Sequence, residues 1–124
     1  MTRHDITLTT DASGNATAYS SVAHGDIRQM RYVPDGSTPL ATGADLTITG
    51  EGSGLAITTL TDIGTSAVQW APRQATHTIL GAASLYAAGG TAVTDRIALA
   101  NERIKVVVAQ GGNALTGVLS VWVG

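Results

Sequence analysis

Cysteine and phenylalanine are both absent from this chain of 124 residues. Without cysteine the protein can have no disulfide framework, no thiolate nucleophile and no cysteine-based zinc site. Charged residues make up only 13% of the chain, about half of the usual share. A single lysine, Lys105, accompanies six arginines. No basic stripe follows the sequence, so we expect no nucleic-acid binding through charge.

Long apolar runs are also missing, which predicts that no segment spans a membrane. The first residues, MTRHDITLTTD, lack the apolar centre of a conventional signal peptide. The length is that of a single domain covering residues 1–124. Ala, Gly and Thr dominate, and such a small-residue chain either packs well alone or gains stability by associating with partners.

Alternation of apolar and polar residues is the main structural signal. Ile6 and Leu8 alternate with threonines, and ADLTITG, EGSG and LAITTL together predict a β-hairpin over residues 44–60. About eight such segments are separated by Gly, Pro, Asp and Asn turns. This pattern predicts an all-β, antiparallel β-sandwich or small barrel. GAASLYAAGG is the one segment with helical character, at most a short helical turn near 82–88, and a strand there is the alternative.

The last 23 residues, ERIKVVVAQ, GGNALTG and VLSVWVG, predict a second hairpin that closes the chain. We expect this hairpin to lie at the centre of the scaffold, and we expect no C-terminal arm after Gly124. Its predicted core residues are Val106, Val108, Leu119, Val121 and Val123.

Residues suited to catalysis or metal binding are sparse. His4, His24 and His77 lie far apart, without the spacing of a metal site. His24 precedes Asp26 closely, but no nucleophile motif of a hydrolase accompanies the two residues. We therefore expect no catalytic, cofactor-binding or metal-ligating residues, no cofactor and no enzymatic activity.

Arginine and aromatic residues are the better candidates for a binding surface, because both contribute strongly at protein interfaces. Arg28 and Arg31 are three apart on one predicted strand and should face opposite sides. At most one of them would point inward, paired with Asp26, Asp45 or Glu102; an exposed interface arginine is the alternative. The predicted interface residues are Arg28, Arg31, Tyr32, Trp70 and Arg73.

Three stretches carry a resemblance to a known group of proteins: RYVPDGSTPLATGADLTITGEGSGLAI, SLYAAGGTAVTDRIALANERIKVVVAQGGNALTG and the terminal VLSVWVG. These stretches resemble the sequences of small virion proteins of tailed bacteriophages, a group that includes capsid decoration, or cement, proteins. The resemblance implies a β-sandwich or jelly-roll-like module on the capsid exterior, assembled in the host cytoplasm. It implies the major capsid protein as partner, with the module bridging neighbouring capsid subunits. We further expect the protein to act as a small homo-oligomer.

Other functions remain open on the sequence. The protein could be a tail, connector or head-fibre component, which the number of copies per particle would distinguish. A carbohydrate-binding module of jelly-roll-like fold is an alternative of another class, although two Trp and three Tyr provide few aromatic platforms. An enzyme would require His24 or His77 to meet a carboxylate in a pocket.

Overall fold

The computed structural model describes residues 1–124 and contains ten strands in two antiparallel sheets, with no helix. The antiparallel β-sandwich is therefore confirmed, with ten strands rather than about eight. Sheet A has the order β1-β10-β3-β8-β7, with β6 also paired to β3, and consists of β1 (Thr2–Thr9), β3 (Ala23–Pro34), β6 (Val68–Trp70), β7 (Arg73–Ala75), β8 (Thr94–Glu102) and β10 (Thr116–Val123). Sheet B has the order β2-β9-β4-β5 and consists of β2 (Ala16–Tyr19), β4 (Asp45–Gly50), β5 (Ala56–Leu60) and β9 (Ile104–Ala109).

The core lies between the two sheets. Every second residue of β9 and of β10 is buried, while the residues between them are partly exposed. This period of two is the signature of a strand with one face on the core and one toward solvent. All five predicted core residues are buried, and they are Val106, Val108, Leu119, Val121 and Val123.

The predicted closing hairpin is wrong, although both of its strands exist. β9 pairs with β2 and β4 in sheet B, whereas β10 pairs with β1 and β3 in sheet A. The connection over residues 110–115 crosses from one sheet to the other, and it turns through positive φ at Gln110, Gly112 and Ala114. Alternation identified the two strands correctly, but it carries no information about which strand each one pairs with.

The other predicted hairpin is confirmed, because β4 and β5 pair antiparallel from Leu46–Leu60 to Thr49–Ala56. No helical turn forms near 82–88, which agrees with the upper limit of one short turn. Those residues lie in an extended loop, where isolated bridges join His77 to Ala83 and Leu85 to Ala92. Backbone hydrogen bonds to neighbouring loop segments outweigh the helical preference of the alanines there.

A polar clamp holds the corner at which the chain passes from β8 in sheet A to β9 in sheet B. The Oε1 atom of Glu102 accepts hydrogen bonds from the backbone N–H groups of Gly52 and Ser53, at 2.9 Å each, and from the Ser53 hydroxyl at 3.0 Å. These bonds lower the pKa of Glu102 below its ordinary value, and the bond from the Ser53 backbone N–H has the largest effect on it. The next residue, Arg103, forms an ion pair with Glu51 of the same β4–β5 loop.

Candidate interaction surface

The outer face of sheet A collects most of the arginines of the chain. Leu119, Val121 and Val123 point into the core, so the residues between them point outward. The strand registers place Arg3 opposite Trp122, and Arg31 opposite Ser120 and Gln69, on that same outer face. Five of the six arginines lie on this face: Arg3, Arg28, Arg31, Arg73 and Arg96.

A β-bulge determines where Arg28 points. Gln29 pairs with Trp122 and Ile27 pairs with Val123, so Arg28 is the extra residue on β3. The bulge shifts the alternation, which allows both Ile27 and Met30 to be buried although they are three apart. Arg28 is half-buried, and its Nε atom donates a hydrogen bond to the carbonyl oxygen of Gly124 at 3.1 Å. The predicted alternation of β3 was therefore wrong at this point.

Two arginines face each other directly across neighbouring strands. Arg73 of β7 is in register with Arg96 of β8, and both are exposed. The pairing of β3 with β8 ends at Ile27 and Ile97, and Arg28 and Arg96 are the residues that follow this last pair on the two strands. Arg28, Arg96 and Arg73 thus lie on three neighbouring strands, which are about 4.8 Å apart, and together they are called the arginine row.

No carboxylate neutralises this row. The structure contains two ion pairs, and they join Arg3 to Asp5 and Arg103 to Glu51. Of the partners considered for Arg28 and Arg31, Glu102 binds the β4–β5 loop and Asp45 accepts a hydrogen bond from the backbone N–H of Asp62. Asp26, the third, forms no ion pair with either arginine. The predicted structural ion pair is thus wrong.

Tyr32 is not a surface residue. Its side chain is fully buried, and its hydroxyl donates a hydrogen bond to the carbonyl oxygen of Gly64 at 2.7 Å. The ring packs on Gly117, where a Cβ atom would lie 2.8 Å from the Tyr32 ring. Burial raises the pKa of Tyr32 to about 12. The prediction that Tyr32 is an interface residue is therefore wrong. Its hydroxyl instead connects sheet A to the loop that precedes β6 through a hydrogen bond.

Trp70 has a mixed position at the edge of the sandwich. It is half-buried against the core, and its indole Nε1 donates a hydrogen bond to the Thr58 hydroxyl at 3.3 Å. Because Trp70 belongs to sheet A and Thr58 to sheet B, the indole closes one open side of the core. Trp122, by contrast, lies on the outer face of sheet A among the arginines.

A second surface was missed at the sequence level. The loop between β7 and β8, residues 76–93, is here called the β7–β8 lobe. It is held together by backbone hydrogen bonds such as those from Ser84 N–H to the Thr76 carbonyl and from Val93 N–H to the Ser84 carbonyl, at 2.9 Å each. The signal for this surface is that no Asp, Glu, Lys or Arg occurs between Arg73 and Asp95.

The β7–β8 lobe exposes large apolar side chains. Ile79 and Leu80 are almost completely exposed to solvent, and Tyr86 is 77% exposed. Isolated exposed apolar residues are common on proteins, but several in one projecting segment indicate a contact surface. The arginine pair of β7 and β8 lies at the base of this lobe, so the apolar and basic surfaces adjoin.

A shallow cleft of about 360 Å³ lies where the ends of β1, β3 and β10 meet. His4 and His24 both line it, and His4 Nδ1 is 3.0 Å from the Ser21 hydroxyl oxygen. No Asp or Glu side chain lines the cleft, and no group of three metal-ligating side chains occurs in the structure. His77 lies apart from this cleft, in the β7–β8 lobe.

Comparison of the chain with protein-family models and with curated proteins finds no match. The structure has no helix that is long and apolar enough to cross a membrane.

Proposed function

We propose that this protein is a noncatalytic virion structural protein that binds the outside of a tailed-phage capsid and stabilises it by bridging major capsid subunits. The observation that carries the proposal is the β7–β8 lobe, which presents Ile79, Leu80 and Tyr86 to solvent on a rigid β-sandwich. Burial of such side chains against a partner stabilises a complex by about 1.5–3 kcal/mol for each one that is fully covered.

Two adjoining surfaces of different chemistry suit a bridging role. The β7–β8 lobe can bury apolar area in one partner while the arginine face of sheet A contacts polar groups of a neighbour. Many copies on one shell would make modest individual contacts effective, because linked binding events reinforce each other. The resemblance of the sequence to phage virion proteins supports the same role, and it supports the proposal that the protein acts as a small homo-oligomer.

The strand order supports a finer description of the fold as a jelly roll, which we include in the proposal. Without β6 and β7, eight strands form two four-stranded sheets, β1-β10-β3-β8 and β2-β9-β4-β5. The first strand pairs with the last, and the second pairs with the last but one. Folding a chain back on itself in this manner gives the two Greek keys of a jelly roll. β6, β7 and the β7–β8 lobe are then an insertion that carries the contact surface.

The test uses shells assembled from the major capsid protein of the same genome, with and without this protein. We expect the decorated shells to resist heat and denaturant better than bare shells, and we expect added protein to restore the resistance. Unchanged shell stability together with no binding of added protein would contradict the proposal. Binding only at a tail or portal vertex would assign the protein to the tail, connector or head-fibre class instead.

A further inference from the structure

Within the arginine row on the outer face of sheet A, Arg28 is bound to the Gly124 carbonyl oxygen, but the pairing of Arg73 with Arg96 has no structural explanation within the chain. Arg73 and Arg96 are directly opposite each other, and like charges in that position destabilise a sheet. Neither residue forms an ion pair, and Arg31, on the same face, forms none either. A pairing that works against the fold is expected at a functional site, where a partner supplies the missing interaction.

We infer that this face, from Trp122 across Arg28 and Arg96 to Arg73, is a docking site for a protein surface that presents carboxylates. The inference names the chemistry of the partner and, in that respect, rests on the proposed function. Charge complementarity carries it. Arginine guanidinium groups bind carboxylates through two parallel hydrogen bonds, a geometry that a lysine ammonium group cannot provide.

The composition of the face also fits a protein partner. Arg and Trp are enriched at protein interfaces while Lys and Glu are depleted. The face contains Trp122 and five arginines but no lysine and no glutamate.

A nucleic acid fits this face less well than an acidic protein does. Asp5 and Asp26 lie on the same outer face, since they are in register with the outward residues Ser120 and Ala98. A polyphosphate chain crossing the face would meet these carboxylates, whereas a protein surface with discrete Asp and Glu side chains can avoid them. Asp5 is already occupied by Arg3 and by the Ser120 hydroxyl, at 3.1 and 2.6 Å.

The test measures binding of hexaglutamate to the whole protein by nuclear magnetic resonance at low ionic strength. We expect shifts concentrated on the Trp122 indole and on the backbone around Arg73 and Arg96, with an affinity that falls as salt approaches about 0.15 M. The double variant R73Q/R96Q should bind about tenfold more weakly. The variant K105Q is the matched control, because Lys105 lies on sheet B, and it should change the affinity less than twofold.

The outcomes of the hexaglutamate experiment distinguish an acidic protein partner from the alternatives. An equal loss of affinity in K105Q, shifts confined to other surfaces, or no binding at low salt would overturn the inference. Tighter binding of a single-stranded oligonucleotide to the same face would replace the protein partner by a nucleic acid, and concentration-dependent shifts without peptide would replace it by a second copy of the chain. Because no capsid is used, a failure of this test is distinguishable from a failure of the proposed function.

Discussion

Replacing Tyr32 by phenylalanine removes a single oxygen atom from the centre of the molecule. The Tyr32 hydroxyl is fully buried and donates one hydrogen bond, 2.7 Å long, to the carbonyl oxygen of Gly64. In the variant that buried carbonyl has no donor, which destabilises a fold by about 1–3 kcal/mol. For a domain of this size the melting temperature should fall by about 4–12 °C.

Alkaline titration provides a second measure of the same hydroxyl. The folded-state pKa of Tyr32 is about 12, above the ordinary value of 10.0. Folding therefore favours the neutral hydroxyl, and its stabilising contribution is complete below about pH 10 and is lost as pH rises toward 12. Y32F has no such group, so its free energy of unfolding should vary less with pH over that interval than that of the wild type.

The measurements are urea unfolding at neutral pH and at several values from pH 9 upward, monitored by tryptophan fluorescence. Equal stability of Y32F and wild type at neutral pH would refute the assignment of Tyr32 to the interior. Loss of hexaglutamate binding in a Y32F protein that is still folded would contradict it as well, because that result would return Tyr32 to the interface.

Three further predictions follow from the packing and the surface. Gly64→Ala should destabilise the fold by about 3 kcal/mol or more in urea unfolding, because the new Cβ atom would lie 1.7 Å from a backbone carbonyl oxygen. The control Gly36→Ala places its Cβ atom in open space and should change stability by less than about 0.5 kcal/mol. I79S/L80S should leave the melting temperature within about 2 °C of wild type but abolish attachment to capsid shells; retained attachment would remove the lobe from the contact surface. Hydrogen bonds hold the folded-state pKa of Glu102 below its ordinary value of 4.5. Its contribution to stability is therefore present above pH 4.5 and is lost as pH falls through the folded-state pKa. In pH-dependent thermal melts, Glu102→Gln should therefore lose less stability in acid than the wild type does.

The two hairpin predictions show what alternation can and cannot establish. Leu46 and Ile48 lie in a strand that is joined to its partner by a short Gly-rich connector, so sequence proximity determines the pairing. The segment from Glu102 to the end has equally clear alternation, but β9 and β10 belong to different sheets. Pairing in a sandwich depends on strands that are distant in sequence, such as Thr2 with Val123, and no local pattern encodes such a contact.

The candidate surface was predictable only in part. Arg28, Arg31 and Arg73 were predicted as contact residues and lie on one outer face, but Arg96 was not included, because its register with Arg73 requires the pairing of β7 with β8. The position of Arg28 depends on a bulge, which inserts one residue without a sequence signal. Tyr32 was misassigned, because an alternating strand does not show which of its two faces meets the core.

The most direct test of the proposed function is the ratio of this protein to the major capsid protein in purified phage particles, measured by quantitative mass spectrometry. The proposal predicts on the order of hundreds of copies per particle, since decoration repeats with every capsid subunit contact, and these copies should be located on the outer surface. Absence of the protein from intact particles, or about a dozen copies as expected for a ring at a single vertex, would contradict it.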